Sequence, residues 1–127
     1  MGNAVTVAPG AGFTGATATL SNAASDVAGT VTFTTLTTIP ASPYLLFTIQ
    51  WGGSWASSNV AEVPTILVSA CANPTKARTA AQMAAVAALG PFYLIPNSLN
   101  TKVDVYCTNA PAASTAYDIA YLAVQGP

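Results

Sequence analysis

At 127 residues the chain is long enough for one domain with a core of its own and too short for two of ordinary size. Its three basic and four acidic residues, Lys76, Arg78, Lys102, Asp26, Glu62, Asp104 and Asp118, make up 6% of the chain against about a quarter in an ordinary soluble domain, and the net charge is −1. Three scattered cations make no basic patch for phosphates, which excludes nucleic-acid binding. The absence of histidine excludes Ser-His-Asp and Cys-His catalysis, histidine metal ligands and histidine proton shuttles.

A surface so poor in charge must consist of Thr, Ser, Ala and Asn. That suits a protein held inside an assembly, because a free monomer relies on charge to stay soluble; a Thr-rich secreted β domain is the plainer reading of the same composition. The longest apolar stretch, AAQMAAVAALGPFYLI, is rich in Ala and broken by Gly90 and Pro91. It falls short of the ~20 strongly apolar residues that span a bilayer, so no membrane partner is expected. The N-terminus has neither the basic nor the apolar region of a classical secretion signal. MGNAVT, with Gly2 and Thr6, fits the loose myristoylation pattern, which short sequences match by chance.

In chain order, residues 1–12, MGNAVTVAPGAG, read as an extended arm: Val5 and Val7 alternate briefly before Pro9, Gly10 and Gly12 break the pattern. TGATATL alternates Ala16, Ala18 and Leu20 with Thr17 and Thr19, the period of a half-buried strand, and SNAASD is the turn after it. VAGTVTFTT puts Val27, Val31 and Phe33 on one face and Thr30, Thr32 and Thr34 on the other, the clearest strand of the chain. YLLFTIQW, after Pro40 and Pro43, reads as a strand covered on both sides, and WGGSWASSN as a broad loop. TILVSA is a further strand; the Ala-rich spacing from Ala77 to Leu89 predicts a short helix ended by Gly90 and Pro91. FYLI, KVDVYCT and AYDIAYLAV complete the chain as strands between the turn clusters PNSLN and NAPAAS.

Strands at regular spacing without strand-helix alternation predict an all-β fold, an antiparallel β-sandwich or jelly roll of about seven to eight strands with one short Ala-rich helix or loop insertion. The arm over 1–12 is followed by a single sandwich domain over 13–127. Val31, Phe33, Leu46, Phe47, Ile66, Val68, Val103, Val105, Ile119 and Tyr121 are expected in its core.

Chemistry is sparse. Cys71 and Cys107 are too far apart for a CxxC motif; Cys107 follows Val103 and Val105 at strand period and reads as a small core hydrophobe, with a disulfide to Cys71 as the alternative. If the last two strands pair, Asp104 and Asp118 approach as a glycosidase pair would, whereas a surface ion pair of Lys102 with Asp104 is the commoner outcome. WGGS lacks the Lys and Ser/Thr of a phosphate loop. No catalytic residue, cofactor or metal is therefore expected. Tyr44, Trp51 and Trp55 gather around the Gly-Gly loop as candidate ligand or partner contacts, although Trp51, ending an apolar strand, also reads as a cap on the core. Val5 and Val7 need burial somewhere. They are assigned to docking on a partner, by adding the arm to a neighbour's open sheet edge; the alternative is pairing with their own sandwich.

Two segments carry a resemblance: TGATATLSNAASDVAGTVTFTT near the start and FYLIPNSLNTKVDVYCTNAPAASTAYDIAYLAV at the end. As an ordered set covering about half the chain, they resemble the small β-sandwich modules of tailed-bacteriophage particles. In those modules, which serve as head-decorating proteins, head fibres and tail-fibre tips, a GTGAT strand, an AGTVTVTT strand and a closing TTY strand recur. The resemblance implies a non-enzymatic virion structural protein displayed on the particle surface after assembly in the host cytoplasm. Its partners are then the major capsid protein or another virion protein and copies of itself, with trimers preferred. A chain that begins at Met1 and holds one module suits a free-standing capsid decoration protein; a fibre tip or adhesin binding a receptor or glycan is the alternative.

Overall fold

The computed structural model describes residues 5–13, 15–21, 24–25, 28–51, 65–70, 77–98 and 102–124. The expectations for Asp26, Val27, Trp55, Glu62, Cys71 and Lys76, and for the side chain of Ile66, lie outside the described residues. The strands are β1 (Val5–Pro9), β2 (Thr17–Leu20), β3 (Ala28–Thr34), β4 (Tyr44–Trp51), β5 (Thr65–Ala70), β6 (Phe92–Ser98), β7 (Lys102–Cys107) and β8 (Ala116–Val124), with one helix, α1 (Ala80–Ala87), between β5 and β6. They form two four-stranded antiparallel sheets, ordered β1-β4-β7-β6 and β2-β3-β8-β5. The fold is the expected all-β sandwich.

The expected arm does not leave the sandwich. Val5–Pro9 is the edge strand β1, paired with β4 so that Val5 lies opposite Trp51, Val7 opposite Ile49 and Pro9 opposite Phe47. Val5 and Val7 are half-buried against the core. The reason lies in Gly10, whose N–H donates to the Leu46 carbonyl at 2.8 Å. A Cβ at Gly10 would sit 1.9 Å from the Leu45 carbonyl oxygen, so only glycine lets the two backbones come this close.

The reading of β4 as covered on both sides is also corrected. Its register against β7 shifts between Leu45 and Phe47, a bulge that turns the consecutive residues Leu46 and Phe47 both into the core. From Phe47 onward the alternation is ordinary, with Ile49 and Trp51 buried and Gln50 exposed. The continuous apolar run is thus the trace of one extra residue.

Val31 and Phe33 from β3, Leu46 and Phe47 from β4, Val103 and Val105 from β7, and Ile119 and Tyr121 from β8 are buried as expected, and Val68 packs half-buried against them. Phe33 stacks edge-on with Phe13 at 5.2 Å and lies 6.4 Å from Phe47 across the two sheets. Burying a ring of this size contributes about 2 to 3 kcal/mol. The polar ends of buried tyrosines are satisfied: Tyr117 accepts the Ala112 N–H at 2.6 Å, and Tyr121 donates to the Ser25 carbonyl at 2.5 Å. Tyr121 lies across Gly29, its cross-strand partner, where a Cβ would meet the ring at 2.8 Å.

α1 packs against β8 and touches β5, burying Val86 and adjoining the buried Leu89. It is shorter than Ala77 to Leu89 because Thr79 caps it, accepting the Gln82 N–H at 3.2 Å while the Gln82 side chain accepts the Thr79 N–H at 2.8 Å. Gly90, at φ 77°, turns the chain out of the helix in the left-handed region.

Candidate functional site

β4 does not bring the expected aromatic contacts together. Tyr44 stands half-buried at one end of the strand and Trp51 at the other, roughly 23 Å away by the rise of a strand. Trp51 is 2% exposed, because it shares the inward face with Phe47 and Ile49, so it caps the core and offers no ring to a ligand. Of its two readings, candidate contact and cap on the core, the structure bears out the cap.

The condition for Asp104 to approach Asp118, pairing of the last two strands, is not met. β7 and β8 belong to different sheets, and the two carboxylates sit on opposite outer faces of the sandwich. Asp104 accepts the Thr48 hydroxyl at 2.7 Å. Asp118, although on an outer face, is buried under Arg78, whose Nε donates to it at 2.5 Å and Nη2 at 3.2 Å, and it accepts the hydroxyl of its cross-strand partner Thr32 at 2.8 Å. The carboxylate in turn raises the Arg78 pKa, chiefly through this hydrogen bond. The triad pins the segment before α1 onto the sheet; it is a strut, with every partner satisfied inside the protein.

Cys107 is a free thiol in the core, donating to the Asn109 carbonyl at 3.2 Å, and burial pushes its pKa up to about 11. A thiol held protonated is a poor nucleophile. Among the described residues no three His, Cys, Asp or Glu side chains gather to hold a metal ion, and no helix is long and apolar enough to cross a membrane.

What the sandwich does expose differs sharply between its two open sides. On the side where β1 faces β2, the outward residues are Thr6, Ala8, Thr17 and Thr19. A shallow depression of about 210 Å³ beside β1 is lined by Thr6, Ala8, Thr48, Gln50 and Lys102. On the strands of the side where β5 faces β6, the outward residues are large and apolar: Leu67 is 57% exposed and its cross-strand partner Leu122 44% on one outer face, and Ile95 is 47% and Tyr93 41% exposed on the opposite one. Tyr93 stacks on Tyr106 of the neighbouring strand with centroids 5.0 Å apart and rings nearly parallel. Leu67 and Leu122, with Ala120, border a depression of about 470 Å³.

Leu67, Tyr93 and Ile95 were missed because FYLI and TILV read as apolar runs destined for a core, and Leu122 because it closes the apolar end of AYDIAYLAV. The one signal that separates them is topological. An apolar run in a central strand is covered twice, whereas in a sheet with a bare outer face every second residue meets water. The two pairs, one on each outer face, carry no group for bond chemistry; each can meet another apolar surface, and Tyr93 adds a ring face to its own. No family model, curated protein or solved structure matches the chain.

Proposed function

We propose that the chain is a non-enzymatic assembly module of a virion, a protein that decorates the capsid of a tailed bacteriophage and is seated there through the β5/β6 side of its sandwich. The observation that carries this reading is two exposed apolar pairs on the strands of this side, Leu67 with Leu122 on one outer face and Tyr93 with Ile95 on the other, in a protein with almost no charge to keep it apart from others. Removing such side chains from water contributes about 25 cal/mol per Å², and folding of the lone chain leaves that contribution unused. The ordered resemblance of the Thr-rich strands and the closing strand to phage sandwich modules gives the setting. Val5 and Val7, which serve β1's own pairing, pass the docking role to this apolar side.

The Tyr93–Tyr106 stack favours a second reading, a fibre tip or adhesin that lays a sugar ring against Tyr93. One experiment addresses both. An antibody against the protein is used to probe density-gradient fractions of particles from the source culture, and purified protein is screened against a glycan array. Recovery with particles at a constant copy number per capsid subunit supports decoration. Presence only in the soluble fraction overturns it, and glycan binding lost in Tyr93→Ala establishes the second reading.

A further inference from the structure

We infer that two copies of this chain pair through β5, antiparallel and about a two-fold axis at Leu67, to make one continuous eight-stranded sheet. This deepens the assembly reading and rests on it. A four-stranded sheet ends in two strands with unpaired backbone groups, and proteins blunt such edges with Pro, charge, bulges or short strands. Three of the four edges here are blunted. β1 ends in Pro9 and β2 is four residues long. β6 carries Pro96, which has no N–H to offer, and its register shifts between Pro96 and Ser98. β5, TILVSA, has six residues, no Pro and no charge, and its outer edge has no strand partner among the described residues.

The same composition selects the partner. In a two-fold pair the residue on the axis meets its own copy and its neighbours meet each other, so a charge on the axis would face a like charge. β5 has none, and self-pairing meets no repulsion. Parity places the axis: residues directly opposite in an antiparallel pair point to the same face, so the axis must pass a residue rather than a gap between two. At Leu67 it sets that exposed side chain against its own copy. Because Leu122 is the cross-strand partner of Leu67 within each chain, the joined outer face then carries Leu122, Leu67, Leu67 and Leu122 in one row. The row buries the two most neighbourly apolar side chains that the monomer leaves in water.

Sedimentation velocity across a range of concentrations, with three variants, tests the pairing. The wild-type protein is expected to dimerise. Leu67→Lys places two ammonium groups at the axis and should weaken the dimer roughly tenfold or more, with an unchanged melting curve because Leu67 faces water in the monomer. In a Cys71→Ser background, Leu67→Cys should give a disulfide-linked dimer on mild oxidation, and Thr6→Cys on the opposite side should not. An oligomer indifferent to Leu67→Lys and not cross-linked through position 67 overturns the β5 pairing while leaving the assembly reading in place. A wild-type protein that stays monomeric at high concentration and is absent from particles overturns both.

Discussion

Where β1 meets β2 the sandwich turns threonine and alanine to water, and where β5 meets β6 it turns leucine, isoleucine and tyrosine. Both sides feed the same core. Val5 and Val7 point inward on the first, Val68, Phe92 and Leu94 on the second. The difference is confined to the outer positions, Thr6, Ala8, Thr17 and Thr19 against Leu67, Leu122, Tyr93 and Ile95. Folding of one chain asks nothing of those outer positions, so their character reflects what each side meets afterwards. On the assembly reading proposed above, one side is finished for water and the other for a protein surface.

The largest effect that separates the sides is expected at Gly10. Its substitution by Ala drives a methyl into the Leu45 carbonyl and should cost about 3 kcal/mol in chemical denaturation by prying β1 from β4. A loss below about 1 kcal/mol would mean that the β1 side is not closed as described. On the other side, Arg78→Ala leaves the Asp118 carboxylate buried without its cation. The expected cost is about 2 kcal/mol, reduced from that of a fully enclosed pair by the residual exposure of Arg78. Asp118→Asn in the same background should recover part of it. A double-mutant cycle showing no coupling would remove the strut from the account.

Smaller effects on stability should accompany larger ones on association. Leu122→Asn and Ile95→Thr, both on exposed outer positions, are expected to change unfolding free energy by less than about 0.5 kcal/mol while lowering the oligomer fraction in light scattering. The matching Thr6→Val and Thr19→Val changes should leave association as it was. If the threonine side responds instead, the two sides have been assigned in the wrong order.

Cys107 belongs to the core between them and gives the smallest signal. Its folded-state pKa of about 11 lies above that of an unfolded thiol, so the unfolded chain releases this proton first. The contribution to stability is full below the ordinary thiol range and is lost as pH rises toward about 11. Cys107→Ala should flatten that part of the alkaline stability curve relative to wild type.

How far these sides were legible in the sequence follows from how locally each is determined. β3 and β8 alternate cleanly, and their faces were assigned correctly, because they are central strands with one side on the core. The bulge at Leu46 broke the same rule in β4, since one inserted residue makes a half-buried strand look covered on both faces. β1 was taken for an arm because two valines are too little periodicity to announce a strand; its pairing depends on Gly10 and on β4, a contact between distant parts of the chain. The apolar side was invisible for a related reason. TILV and FYLI carry apolar residues at both parities, and only the sheet order shows that one parity has nothing above it among the described residues. Trp51 was open to two readings, displayed beside a glycine loop or capping the core at the end of an apolar strand, and the register of β4 points it inward, in favour of the second.

Hydrogen exchange of the protein at low and at high concentration tests the central claim most directly, since it reports every strand edge at once. Amides of β5 and β6 should gain protection as the protein associates, with β1 and β2 unchanged. Protection gained at β1 and β2, or at no strand at all, would contradict the assignment of the β5/β6 side to assembly.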